Sequence, residues 1–278
     1  MKKFSNVLIA SDIDGTLLWD AHYVNPRNCE KLRYFCDNGG HFSLSTGRNH
    51  TDIFPIMEAV GNYVNMPCIL CNGSYLYDTT TKAVLNPQYL ASEPLVSLLE
   101  MIRRDYDGRV GFRASFDQGF LICEGDKEIL VRLRHYGLAH LAIPRPFEDF
   151  GKEKLYKAVL ISSPALLTEV RTRLKPYENA FTITTSDPYI LEIQPKGISK
   201  SFQFPYLKSL YDGAELWCIG DYNNDLEMLR NADVAVCPQN AVPEIKAIAH
   251  HEVCHCRDGA LADMIDLIEK SIDKRKPQ

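Results

Sequence analysis

The chain has no apolar run approaching the roughly 20 residues that span a bilayer, which excludes a membrane-spanning role. It has no basic block ahead of a short tail, Lys270–Lys276, and its formal net charge is −5. That balance argues against a nucleic-acid or anionic-membrane partner. The apolar run near the start, Val7–Ala10, is too short for the core of an export signal and ends in carboxylates, so a cytoplasmic location is expected. An even set of cysteines is also missing. The nine present are scattered through apolar contexts and suit reduced thiols rather than a disulfide framework. Repeats, low-complexity tracts and long linkers are absent as well. With 45% hydrophobic and 24% charged residues over 278 positions, what remains is a globular chain long enough for one large domain or two modest ones.

One stretch organises the rest, Val7–Thr16, VLIASDIDGT. Four apolar residues suit a strand buried on both faces of a parallel sheet, and Asp12 and Asp14 follow at its carboxyl end. Ligands of open α/β sheets bind beyond that end, so carboxylates placed there belong to a site more naturally than to a core. Gly15 permits a sharp turn. Two carboxylates one residue apart repel unless a cation joins them, which suggests a hard metal such as Mg2+. An EF-hand loop is excluded, because Leu17, Leu18 and Trp19 stand where its later ligands would be.

The following segments alternate strand and helix. Asn25–Pro26 starts a helix that Asn38–Gly40 stops, His41–Leu44 is a second strand, Asp52–Val60 is a helix interrupted or started near Pro55, and Cys68–Cys71 is a third strand ending at Asn72 and Gly73. From about Tyr75 the pattern changes to short strands, including a hairpin from Val110–Phe116 and Gly119–Cys123. Helices are expected at Glu93–Tyr106, Lys127–Tyr136 and Pro164–Leu174, with strands near Lys157–Ile161, Phe181–Thr185 and Ile190–Ile193. The first pattern returns after Gly197, with helices Ser199–Tyr211 and Ala241–Ala249, strands Leu216–Ile219 and Val234–Val236, and a last helix from near Asp258. The expected fold is α/β, a doubly wound, Rossmann-like parallel sheet formed by 1–78 and 194–278, with an α+β cap domain inserted at 79–193.

Three loops, Asp12–Thr16, Ser45–Arg48 and Gly220–Asp225, are then expected at one edge of the parallel sheet, with Lys200 nearby. The series DIDGT, STGR, GISK and GDYNND resembles the haloacid dehalogenase superfamily, with spacing similar to its Cof-like sugar-phosphate phosphatases, which carry a large type IIB cap. The resemblance runs nearly end to end. It implies a magnesium-dependent phosphatase acting on a small phosphorylated metabolite, with a sugar phosphate as the expected substrate. Asp12 would be the nucleophile that forms an aspartyl-phosphate, Asp14 the general acid and base, and Lys200 the balancing charge. Thr46 and the Gly47 amide would hold the phosphoryl group, and Asn224 would touch phosphate or leaving group. The Asp12 carboxylate, the Asp14 carbonyl and Asp221 would bind Mg2+, with Asp225 supporting them. Two other readings share the scaffold: a phosphomutase and a non-catalytic phosphosugar sensor.

Lys196 also flanks the turn at Gly197, but the family's pattern favours the lysine after Gly-Ile-Ser, and Lys196 is expected in solvent or facing substrate. Arg48 either meets ligand or ties down its loop. His251-Glu252-Val253-Cys254-His255 matches a metalloprotease string, yet a strand or loop is expected there rather than the helix that zinc ligation needs. Cys68 and Cys71 lie in an apolar strand, which disfavours redox chemistry. Arg113, Asp117, Arg132 and Arg134, in the cap, either meet a polar leaving group or are solvated surface, and each alone is expected to be the latter.

Overall fold

The computed structural model describes residues 2–275 apart from 21, 22 and 136. Five parallel strands form the first sheet, in the order His251–Val253, Val234–Pro238, Glu215–Ile219, Val7–Ser11, His41–Leu44. All five residues of Val7–Ser11 are buried, as its apolar run requires. Side chains alternate across this strand, and so do its neighbours. Val7 and Ile9 pack with Leu32 and Phe35 of helix Pro26–Asp37 and with Met264 and Ile265 of helix Ala260–Arg275. Leu8 and Ala10 pack with Phe204 and Leu207 of helix Phe204–Leu210 and with Met228 and Leu229 of helix Leu226–Arg230. Helices on both faces make the sheet doubly wound.

Register fixes where the loops emerge. Ser11 stands level with Ile219 on one side and Leu44 on the other. The loops beginning at Asp12, Ser45 and Gly220 therefore leave the same edge together. A parallel bridge from Ser45 to Ile69 attaches an antiparallel group, Cys68–Leu70, Tyr75–Asp78 and Ala83–Leu85.

The inserted α+β unit holds a six-stranded sheet, ordered Ala142–Arg145, Gly119–Cys123, Gly111–Phe116, Lys157–Ile161, Ile190–Pro195, Phe181–Asp187. Its pairs are antiparallel except at the Ala142–Arg145 edge. Helices Ser92–Tyr106 and Pro164–Arg173 cover one face through Leu98, Leu99, Leu167 and Val170. Helix Lys127–His135 covers part of the other face; Tyr136, where it was expected to end, lies outside the described residues. The last residues of the basic tail, from Lys276, do likewise.

Three elements are shorter than their periodicity suggests. The helix expected from Ser199 begins at Phe204, because Pro205 suits a first turn and the preceding residues close successive tight turns instead, Phe202 to Ser199 and Phe204 to Ser201. That irregular stretch turns Lys200 inward. The helix expected over Ala241–Ala249 spans Pro243–Lys246. The third strand stops at Leu70, since Cys71 and Asn72 adopt positive φ of 48° and 54° and reverse the chain. No helix among the described residues is long and apolar enough to cross a membrane.

Candidate active site

Asp12 leaves the end of Val7–Ser11, and its carboxylate meets a fully buried lysine. Lys200 Nζ lies 2.5 Å from Asp12 Oδ1 and 2.6 Å from Asp225 Oδ1. Asp225 Oδ2 in turn accepts from the amides of Asp221 and Tyr222, at 3.0 and 3.1 Å. Asp221 Oδ1 accepts from the Thr16 hydroxyl at 2.8 Å. Gly15, at φ 82°, makes the close approach possible, because a Cβ there would sit 2.5 Å from Asp221 Oδ2.

An oxygen from each of Asp12, Asp221 and Asp225 lies within 4.8 Å of the others, and all three residues are buried. One ammonium faces three carboxylates, so negative charge is in excess. Burial pushes Asp12 well above the usual carboxylate range; Lys200 opposes the shift, while Asp225 and Asp221 add to it. Burial, then Asp225, pushes Asp221 up to about 7. Burial works against the charge on Lys200, but Asp12 and Asp225 outweigh it and hold the ammonium above its ordinary value. Asp12 Oδ2 and Asp221 Oδ2 accept no hydrogen bond among the described residues. Hard oxygen donors with surplus negative charge fit a small divalent cation such as Mg2+.

Asp14 takes its partner from outside this cluster, although its charge reaches Asp12 and Asp221. Its carboxylate is largely exposed and receives both arms of Arg48, Nη2 to Oδ1 at 2.6 Å and Nε to Oδ2 at 3.0 Å. Thr46 is buried, with its hydroxyl accepting the Arg48 amide at 3.2 Å. The Gly47 carbonyl accepts from Lys157 Nζ at 2.6 Å. Asn224 Nδ2 lies 3.4 Å from Asn72 Oδ1. Asp12, Asp14, Thr46, Gly47 and Asn224 all line one cavity of about 580 Å3, enclosed between the parallel-sheet edge and the inserted sheet. Lys200, Asp221 and Asp225 gather behind Asp12. All eight residues selected from the sequence thus lie in or beside one place.

Other residues there escaped the sequence reading. Lys157 and Glu192 form a buried ion pair, at 2.5 Å, on adjacent strands of the inserted sheet. Glu192 Oε2 also accepts from Asn72 at 2.7 Å. Burial would raise Glu192, but Lys157 and Asn72 hold it below its ordinary value. The available signal was a charged residue inside each apolar strand run, KAVLI and LEIQP. Arg113 corrects an expectation. Strand alternation turns it into the cavity, on the sheet face shared with Lys157 and Glu192, and it is not solvated surface. Asp52 lines the same cavity; burial pushes it up to about 6 against the pull of Arg48 and Arg113.

Asp117 is exposed and accepts from the Tyr156 hydroxyl, Arg132 pairs with Glu128, and Arg134 is exposed. Lys196 Nζ donates to the Glu178 carbonyl at 2.6 Å, away from the site. His251 begins a strand ending at Val253, whereas His255 follows it and packs edge-on against Trp19, so no helix aligns the two rings. Burial pushes the Cys68 thiol up to about 12 and Cys71 to about 11, which keeps both unreactive.

The family model of haloacid dehalogenase-like hydrolases matches residues 9–265. The YxeH protein of Bacillus subtilis (strain 168) is 30% identical over 260 residues, covering 88% of this chain and 92% of its own. The HMP-PP phosphatase of Yersinia pestis (strain Pestoides F) is 26% identical over 244 residues, 86% of either chain. Among solved structures, the HAD subclass IIB sugar phosphatase BT4131 superposes with a TM-score of 0.82 at 19% identity, covering 96% of this chain and 99% of that one. A haloacid dehalogenase-like hydrolase from Bacteroides thetaiotaomicron gives 0.79 at 24% identity, with 94% and 99% covered. The chain belongs to the haloacid dehalogenase-like hydrolases. Within them it is a phosphatase, and its fold, inserted domain included, is similar to that of the subclass IIB structure.

Proposed function

We propose that this enzyme is a magnesium-dependent phosphatase that hydrolyses a small phosphorylated metabolite, a sugar phosphate, through a phosphoryl group carried on Asp12. The observation that carries the reading is the buried bridge of Lys200 between Asp12 and Asp225, beside Asp221 and at the wall of a cavity shared with Asp14. A phosphomonoester brings further negative charge, so an ammonium and a divalent cation are both required there. The carboxylates of Asp12 and Asp221 and the Asp14 carbonyl would hold Mg2+, with Asp225 behind them; bound there, the ion supplies charge neutralisation at the phosphoryl oxygens.

Asp12 attacks phosphorus while the bond to the leaving oxygen breaks, and Asp14 gives that oxygen its proton. Asp14 then takes a proton from water as the water oxygen attacks phosphorus. Inorganic phosphate departs and the Asp12 carboxylate is restored. Thr46 and the Gly47 amide hold the phosphoryl oxygens, Asn224 touches phosphate or leaving group, and Lys200 restrains Asp12. Asp14 lies on the accessible side of the site, which suits proton exchange with leaving group and water.

Residues 79–193 act as the lid that excludes bulk water, with its first strand, Ala83–Leu85, remaining paired to the core strand Tyr75–Asp78. The nine free thiols support a cytoplasmic location. Sugar-phosphate chemistry draws support from the sugar phosphatase of similar fold, and phosphorylated metabolites generally from HMP-PP phosphatase. Phosphate release from a panel of sugar phosphates, nucleotides and cofactor phosphates, with Mg2+ and with chelator, tests the reading. Mg2+-dependent release supports it; isomerised phosphosugar without release would indicate a mutase instead.

A further inference from the structure

The segment that continues from the Ser45–Arg48 loop crosses to the inserted sheet at two successive residues. Asn49 is fully buried, and its Nδ2 donates to the Gly119 carbonyl at 3.2 Å. His50 Nε2 lies 3.0 Å from the Asp117 carbonyl. Both acceptors sit at the turn joining strands Gly111–Phe116 and Gly119–Cys123. Neither Asn49 nor His50 lines the cavity.

The same two side chains are anchored on the core side. Asn49 Oδ1 accepts from the amide and the hydroxyl of Thr51, at 2.9 and 2.5 Å, which turns its amide nitrogen toward Gly119. The His50 ring stacks on Tyr77, with 4.8 Å between centroids and 12° between planes, and its Nδ1 lies 3.0 Å from the Tyr75 hydroxyl. That hydroxyl also accepts from the His50 amide at 3.1 Å. A carbonyl can only accept, so the ring proton sits on Nε2, and Nδ1 takes the hydroxyl proton of Tyr75. Burial holds the imidazole below its ordinary value against the pull of Asp117, which suits this neutral form. Each ring nitrogen thus has a partner, one in the core and one in the inserted sheet. Thr46, Gly47 and Arg48 immediately precede Asn49 in the chain, and Lys157 of the same sheet holds the Gly47 carbonyl.

We infer that His50 is a positioning residue whose imidazole, with the Asn49 amide beside it, clamps the turn at Asp117–Gly119 to the segment carrying Thr46, Gly47 and Arg48, so that seating the inserted sheet sets the loop proposed to hold phosphate. This rests on the lid and phosphate-holding readings above and names the contact that couples the two. The clamp grips main-chain carbonyls and touches no leaving group, so its loss slows every substrate alike.

The test compares His50→Gln, which keeps an N–H at the Nε2 position, with His50→Asn, whose amide stops at the Nδ1 position, and with His50→Ala, all in the intact protein. Seating is read by alkylation of Cys71, a fully buried thiol whose neighbours include Ser115 and Lys157 of the inserted sheet, relative to Cys29 on helix Pro26–Asp37, with both sites located by peptide mass spectrometry. In His50→Ala and His50→Asn the Cys71-to-Cys29 ratio should rise about 3- to 10-fold, and kcat/KM should fall by about the same factor for a hexose phosphate, glycerol phosphate and phenyl phosphate. His50→Gln should stay within about twofold of the wild type in both measurements. His50→Ala matching the wild type, or His50→Gln faring no better than His50→Asn, would overturn the clamp. Loss confined to one substrate, or a raised ratio with unchanged kcat/KM, would overturn its hold on the loop. Should His50→Ala fail to fold, the Gln and Asn variants decide between them. Absence of phosphate release from the wild type would instead remove the phosphatase reading, and the alkylation ratios would then decide the clamp alone.

Discussion

Lys200 Nζ lies 2.5 Å from Asp12 Oδ1, although the two are 188 positions apart. The contact closes a buried cluster in which three carboxylates depend on one ammonium. Lys200→Met leaves Asp12 and Asp225 without their shared cation and should cost about 3–5 kcal/mol of metal-free stability. Asp12→Asn instead removes one of the competing charges. It should keep or raise stability while lowering kcat by at least about 10⁴-fold. Urea unfolding in chelator, paired with turnover assays, separates the two variants. A Lys200→Met protein as stable as wild type would contradict the electrostatic reading.

Metal binding should depend on pH in a defined direction. Metal-free, Asp221 keeps its proton up to about 7, against an ordinary value of 3.8. Between those values the folded state binds more protons than the unfolded chain, so metal-free stability falls as pH rises through that window. Mg2+ competes with the same proton. The rise in Tm on adding MgCl2 should therefore grow between about pH 5 and about pH 7 and level off above it. A rise independent of pH would exclude Asp221 as the competing group.

The Arg48–Asp14 pair is the exposed counterpart of the buried bridge. Because Asp14 is 58% exposed, solvent screens the pair, and Arg48→Met should change stability by less than about 1 kcal/mol. The guanidinium nonetheless fixes both carboxylate oxygens of the proposed general acid. Loss of that orientation should lower kcat about tenfold. If Arg48→Met instead raises KM alone, Arg48 serves the substrate rather than Asp14.

At the junction with the inserted sheet, Lys157 bonds both Glu192 and the Gly47 carbonyl. Lys157→Met strands a buried carboxylate and should cost about 3–5 kcal/mol, and adding Glu192→Leu should return much of that. Both variants should still lose activity, because the loop proposed to hold phosphate is no longer tied down through Gly47. Chemical unfolding reads the first effect and phosphate release the second.

The parallel core was legible in the sequence because a strand buried on both faces leaves a plain apolar run followed by polar loop residues, as in VLIA-SDIDGT and LWCI-GDYNND. The four loop motifs also gave the gathered site, since register alone brings Asp12 level with the Ser45 and Gly220 loops. Lys157, Glu192, Asn72, Asp52 and Arg113 were harder to see. Each is a single polar residue within an apolar or loop segment, and only the approach of the inserted sheet to the core's loop edge brings it to the site. Ser199–Gln203 misled for a local reason, as tight turns and a helix share the same spacing when a proline, Pro205, waits two positions on.

A single turnover quenched in acid, with the phosphoryl group located by peptide mass spectrometry, addresses the chemistry at its source. A transient, hydroxylamine-sensitive phosphoryl group on the Asp12 carboxylate is expected, absent from Asp12→Asn. Turnover by Asp12→Asn at the wild-type rate, or a phosphoryl group on any other residue, would contradict it.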